Sequence, residues 1–264
     1  MRGVSTDPHQ HRDLAEGFGS DADRYDRVRP GYPAELADAV LAGLPGVRVV
    51  DAGIGTGISA SVFAAAGAEV LGVEPDDRMA EVARSRGFAV ECARFEDWDA
   101  RGRTFDAVVS GQAWHWIDPE AGARKAAEVL RPRGRLAVFW NVAQPPEELA
   151  RAFADVYRRV ETGLPFTPWA APQAGYTGFT ERAEAGIRRC GAFREPAQRD
   201  FSWSMSMTTA AWLDQVPTAG GHDRIAPDRL AELLAGMGAA IDAVGGRFDL
   251  AFTTVAVLAD RVGS

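Results

Sequence analysis

Apolar and polar positions along this chain follow two periods in turn. Short apolar runs at 47–52, 69–73, 89–93, 105–110 and 135–140 read as strands. Segments with helical spacing lie between them, at 59–66, 76–86 and 119–130. Pro75-Asp76 and Asp118-Pro119 mark helix starts, because Asp accepts from first-turn N–H groups and Pro pre-sets the first turn. Gly67, Gly87 and Gly134 are expected to stop helices. A further helix begins near Ala34 and ends by Gly43, ahead of the first strand. Strands and helices alternating at this spacing require right-handed crossovers and therefore a parallel sheet.

After Asn141 the rhythm changes. Residues 147–161 place Leu149, Phe153, Val156, Tyr157 and Val160 on one helical face, predicting an amphipathic helix. Residues 162–180 are rich in Gly, Pro and aromatics, among them Phe166, Trp169, Tyr176 and Phe179. Order returns with an alternating strand at 198–207, a helix over 227–244 and an apolar strand at 248–258. The expected organisation is a polar, fraying tail over 1–16 and one domain over 17–264, with 143–190 as a helical insertion covering the substrate. His9 and His11 in that tail lack a carboxylate or cysteine partner at ligand spacing, and no metal site is expected.

The passage with the most chemistry is Val49-Val50-Asp51-Ala52-Gly53-Ile54-Gly55-Thr56-Gly57, followed by Leu71-Gly72-Val73-Glu74-Pro75. An apolar strand enters three glycines at alternate positions, and a second apolar strand ends on one carboxylate. Glycines permit tight turns and close approach of backbone to a ligand, and an acid at the second strand end can accept both ribose hydroxyls. A dinucleotide loop has the spacing G-x-G-x-x-G and a helix N-terminus free for pyrophosphate. Here the spacing is G-x-G-x-G, and Asp51 would repel a pyrophosphate but suits an ammonium group. The chain thereby resembles the class I methyltransferases that use S-adenosylmethionine (SAM).

Composition narrows the partners. The chain has 264 residues, a net charge of -8 and two cysteines, Cys92 and Cys190. An acidic balance disfavours nucleic acid, which wants a basic surface. No apolar run approaches the roughly 18 residues of a membrane span. Two cysteines make no disulfide framework, and the charged start lacks the apolar core of a signal peptide, so a cytoplasmic protein acting on a small molecule is expected. Lys125 is the single lysine, which reflects codon usage and not mechanism.

The resemblance extends beyond the glycine turn. Tyr25-Asp26-Arg27-Val28-Arg29-Pro30-Gly31-Tyr32-Pro33, the pair His115-Trp116 after the fourth strand, and the closing 217–261 stretch are similar to the branch containing trans-aconitate-type methyltransferases. The resemblance implies an α/β fold: a doubly wound, mostly parallel seven-stranded sheet with helices on both faces, the last strand antiparallel and beside the sixth. It also implies roles. Asp51, Ala52, Gly53, Gly55 and Gly57 would wrap the methionine end of SAM, Glu74 and Pro75 would hold the ribose, and Phe95 and Glu96 would meet the adenine. Tyr25 and Arg29 would lie near the cofactor's carboxylate, and Gln112 near the sulfonium.

His115 has an unperturbed pKa suited to a general base, and it is equally read as a packed structural histidine between Trp114 and Trp116. His222, in a glycine-rich loop, is a second catalytic candidate. The expected reaction is methyl transfer to an oxygen, less readily a nitrogen or carbon, of a small-molecule metabolite or natural product. The alternatives are a SAM-binding protein of the same fold catalysing another reaction, and an NAD-dependent oxidoreductase. Homodimerisation stays open.

Overall fold

The computed structural model describes residues 19, 21–164, 167–169 and 174–263. The expected tail over 1–16, His9, His11 and Phe166 lie outside the described residues. Seven strands are formed: β1 (Arg48–Ala52), β2 (Glu69–Glu74), β3 (Ala89–Cys92), β4 (Phe105–Gly111), β5 (Leu130–Gln144), β6 (Ala197–Thr208) and β7 (Arg247–Asp260). They hydrogen-bond into one sheet in the order β3-β2-β1-β4-β5-β7-β6. The pairs among β1 to β5 are parallel. β7 is antiparallel to both of its neighbours, β5 and β6. The order reverses beside β1, and an open α/β sheet binds its ligands beyond the strand carboxyl ends at such a point.

The helices are α1 (Ala22–Val28), α2 (Ala34–Leu41), α3 (Ile58–Ala65), α4 (Asp77–Ser85), α5 (Pro119–Val129), α6 (Glu147–Val160), α7 (Ala174–Cys190), α8 (Thr209–Gln215) and α9 (Pro227–Ala243). The start signals work as expected. Asp76 accepts from Arg78 N–H at the head of α4, and Asp118 from Glu120 and Ala121 N–H at the head of α5. Adjacent residues of β5 show the two layers. Phe139 faces Leu36, Val40 and Phe63 on the α2–α3 side, whereas Trp140 joins Trp114, Leu136 and Ile187 on the α5–α7 side. A third apolar cluster joins α6, α8 and α9 to the far ends of β6 and β7 through Phe153, Trp212, Met237 and Leu250.

Three features depart from the sequence reading. Gly134 does not stop a helix: α5 ends at Val129, Leu130 already belongs to β5, and Gly134 lies inside that strand. It sits where the β4–β5 register shifts, and a Cβ there would stand 2.9 Å from the Asp106 carbonyl oxygen. β5 is much longer than 135–140, because β7 pairs with it continuously from Arg135–Asp260 to Gln144–Ala251. The third is the extent of α7, one helix of 17 residues where a helical insertion was expected without bounds for this segment. No helix among the described residues is long and apolar enough to cross a membrane.

Candidate active site

The turn after β1 is built by three left-handed glycines, with φ of 76° at Gly53, 56° at Gly55 and 90° at Gly57. Gly53 also admits a close neighbour, since a Cβ on it would lie 2.5 Å from the Ala113 methyl group. The turn is pinned to β2 by Gly53 N–H donating to the Val73 carbonyl at 2.8 Å. Glu74 ties two turns together. It accepts from Gly55 N–H at 2.9 Å and from Asp76 N–H at 3.0 Å, and is only 8 % exposed.

Beyond these strand ends opens a cavity of about 400 Å³, a size that suits a drug-sized ligand. Five residues singled out in the sequence line it together: Gly53, Glu74, Pro75, Phe95 and Glu96. Ala113, Trp116 and Ile117 form the opposite wall. Phe95 gives it little more than an edge, being 2 % exposed and packed between Trp98 and Trp114. Glu96 accepts from Asp118 N–H at 3.2 Å, which links the 3-10 turn Phe95–Asp97 to the head of α5.

Asp51, Tyr25, Arg29 and Gln112 do not line this cavity; they form a second group around the Tyr32 and Tyr176 hydroxyls. Asp51 and Arg29 both act electrostatically on Tyr32, whose phenol burial holds well above its ordinary pKa. Arg29 lies over the Tyr25 ring at 4.9 Å. Gln112, in left-handed conformation at φ 54°, makes a side-chain hydrogen bond to Tyr176 and donates to the Asn141 carbonyl at 3.4 Å. Ala52 contributes backbone: its carbonyl accepts from Ser110 Oγ at 2.8 Å.

Asp51 is fully buried, and its Oδ2 accepts from Ser59 Oγ at 2.5 Å. Burial pushes its carboxyl up to about 7, with Glu74 adding repulsion and the Ser59 bond opposing. Glu74 is likewise raised to about 7, chiefly by burial. Asp51 Oδ1 and Arg29 Nε are both sealed from solvent and have no hydrogen-bond partner. Groups of that kind are costly to leave unmatched. An amino-acid tail carrying an ammonium and a carboxylate matches the pair in kind and sign, while Glu74 at the other end suits a diol. The residues present therefore fit SAM.

The two histidines lie apart. His115 stands in the 3-10 turn Trp114–Trp116, stacked on Phe179 of α7 with ring centres 4.5 Å apart. Its Nδ1 accepts from Trp140 Nε1–H at 3.2 Å, and burial lowers its pKa to about 3. His222 is 3 % exposed; its Nε2 and the Tyr157 hydroxyl of α6 are 2.6 Å apart, with Nδ1 3.4 Å from the Gly220 carbonyl. A carbonyl only accepts, so His222 Nδ1 carries the proton and Tyr157 donates to Nε2. Burial lowers the pKa of His222 as well, and Arg29 is close enough to add to the shift.

Several contributors were not singled out for their roles. Ser59, eight residues after Asp51, sits where a helix start can turn a hydroxyl back to the strand end, a signal present in the sequence. Trp140 and Tyr176 gave none, since their partners are remote in the chain. No group of metal-ligating side chains occurs among the described residues, and both cysteines are free.

Comparison with known proteins gives the family. The methyltransferase domain family matches residues 50–138. An uncharacterized methyltransferase of Mycobacterium tuberculosis is 34% identical over 178 residues, covering 64% of this chain and 73% of its own. A solved type II methyltransferase candidate from Anaeromyxobacter dehalogenans shares the fold, with a TM-score of 0.65 at 22% identity, covering 89% of this chain and 99% of its own. Phosphoethanolamine N-methyltransferase 2 of Haemonchus contortus, solved with S-adenosyl-L-methionine, superposes at a TM-score of 0.51 and 14% identity over 100% of this chain and 61% of its own. With its glycine turn and a relative of this extent, the chain belongs to the class I SAM-dependent methyltransferases, and S-adenosyl-L-methionine is its cofactor.

Proposed function

We propose that the protein methylates an oxygen of a small molecule and falls in the trans-aconitate-type branch of its family. The observation that carries the cofactor half is the pair of sealed, unmatched groups, Asp51 Oδ1 and Arg29 Nε. Bound SAM supplies a methyl group already activated on a sulfonium, so the protein's contribution is to align the acceptor and exclude water. Asp51 would take the ammonium, Arg29 and Tyr25 the carboxylate, and Glu74 the ribose; Glu96 and the edge of Phe95 would border the adenine. Gln112 and the backbone at Ala52, Gly53, Gly55 and Gly57 would shape the path between.

The acceptor half rests on the surroundings of the two histidines. α7 brings Phe179 onto His115 and Tyr176 edge-on to Phe179, an aromatic cover suited to a small unsaturated molecule. The net charge of -8 supports a small-molecule acceptor over nucleic acid. His222, oriented by a backbone carbonyl, would hold the Tyr157 hydroxyl in place.

The test compares two ligands. S-adenosylhomocysteine (SAH) carries the amino-acid tail, and 5′-methylthioadenosine lacks it. Arg29→Met and Asp51→Asn are expected to weaken SAH on the order of 10-fold or more while leaving 5′-methylthioadenosine unchanged. Glu74→Gln is expected to weaken both. Equal losses for the two ligands in Arg29→Met would overturn the assignment of the tail. Labelled methyl from SAM appearing on nitrogen acceptors but on no hydroxylated or carboxylated metabolite would overturn the oxygen reading.

A further inference from the structure

We propose that His115 takes part in methyl transfer as a neutral hydrogen-bond donor to the acceptor's oxygen, with Trp140 as the positioning residue that fixes its tautomer. The inference rests on the methyltransferase reading and deepens it by naming the class of acceptor.

An indole N–H donates and cannot accept. Trp140 Nε1–H points at His115 Nδ1 across 3.2 Å, so Nδ1 holds the lone pair and Nε2 carries the hydrogen. Trp140 itself is fully buried in β5, which makes it a rigid gauge. Phe179 stacks on the imidazole at 11° between planes, and Trp116 leans on it with ring centres 4.6 Å apart. Nε2–H has no partner among the described residues, and it is not one of the polar atoms walled off by protein. The half-buried ring therefore presents one free N–H from a turn whose neighbours Ala113 and Trp116 line the cofactor cavity.

The elements packed against His115 present Trp116, Trp140, Phe179 and, beyond it, Tyr176; none is charged. A ring so surrounded stays neutral through the physiological range, since burial takes its pKa to about 3. A neutral N–H donor stabilises negative charge on an oxygen facing it and is a poor proton acceptor. That selects an acceptor whose O–H is acidic, a phenol, enol or carboxylic acid on an unsaturated frame. The acceptor's proton goes to solvent as it binds. The oxygen lone pair then forms the O–CH₃ bond while the S–CH₃ pair returns to sulfur, leaving a neutral thioether and a methylated oxygen. An ammonium acceptor meets a donor instead of a carboxylate and is rejected.

The wild-type protein supplies the first test, with no substitution to threaten the fold. ¹⁵N NMR of imidazole-labelled protein bound to SAH is expected to show His115 as the Nε2–H tautomer, unchanged from about pH 5.5 to about pH 8.5. The second uses 4-nitrophenol, whose visible absorption reports its own ionisation. It is expected to bind the SAH complex as the phenolate, about 10-fold more weakly or worse in His115→Phe, and with most of the affinity restored in His115→Gln, which keeps an N–H. Trp140→Phe is expected to mix the tautomers. An imidazolium, an Nδ1–H tautomer, equal binding to His115→Phe, or no binding at millimolar 4-nitrophenol would each overturn the proposal. SAH raising the melting temperature in the same samples keeps the methyltransferase reading separate; its absence would sink both.

Discussion

A carboxyl group cut off from water, with another acid nearby, keeps its proton to unusually high pH. Asp51 and Glu74 are both raised to about 7, burial being the larger cause in each. In the unfolded chain they ionise near their ordinary values, so between those values and about 7 the folded form binds more protons. Stability of the cofactor-free protein therefore falls as pH rises through that window. The buried neutral histidines oppose this trend up to their ordinary value near 6.5, so the melting temperature without ligand is expected to drop from about pH 6.5 to about pH 8, with a shallower drop in Asp51→Asn. The ammonium of SAH needs the ionised carboxylate, so SAH affinity should rise with pH through about 7 and binding should release protons. Titration calorimetry in two buffers of different ionisation heat checks this; identical heats would mean no proton leaves.

At this scale the sequence was informative wherever chemistry depends on neighbours along the chain. The glycine spacing, Asp51 before the turn and Glu74 before Pro75 are all local, and the left-handed turn formed where they lie. His115 shows the limit. Its tautomer is set by Trp140, 25 residues away in β5, and no pattern around His115 carries that information.

Among the elements, α1 stands out because it has no buried residue yet carries Tyr25 at its middle. Charge holds it in place. Arg24 and Arg27 pair with Asp214 of α8 at 2.8 and 3.1 Å, and Asp26 pairs with Arg86 beyond α4. Such pairs are each worth about 0–1 kcal/mol and weaken with salt. Asp214→Asn is expected to speed SAH dissociation about two- to fivefold at low salt, and raising salt from about 0.05 M to about 0.5 M should narrow the difference. Stopped-flow displacement measures both; equal rates in the variant and wild type would show that α1 does not gate the cofactor. α7 teaches the opposite lesson about prediction. Its glycines lower helix propensity, but Gly186 lies so close to α5 that a Cβ would stand 2.4 Å from the Pro119 carbonyl oxygen. Packing against a neighbour overrides propensity, and the residue that looks like a breaker is the one that permits contact.

Across the whole molecule, the sheet is anchored where its central strands are sealed on both faces. Phe139 is fully buried, edge-on to Tyr32 at 4.9 Å and beside Phe63 at 6.1 Å. Phe139→Ala is expected to cost about 3–5 kcal/mol in urea unfolding, with SAH affinity measured in the folded state little changed. A loss below about 1 kcal/mol would mean the layer collapses easily around the gap. The alternating strands and helices of the first half made this architecture legible, because each crossover is local. The position of β7 came from the family resemblance and not from periodicity, which marks a strand but does not say which neighbour it joins.

That position has a consequence for synthesis. β6 meets the rest of the sheet only through β7, which is made later and slots between it and β5. A nascent chain on the ribosome can assemble its first five strands in the order they emerge. β6 then has to wait, unpaired, until the residues from Arg247 onward clear the exit tunnel, and that interval is when this polypeptide most needs a chaperone.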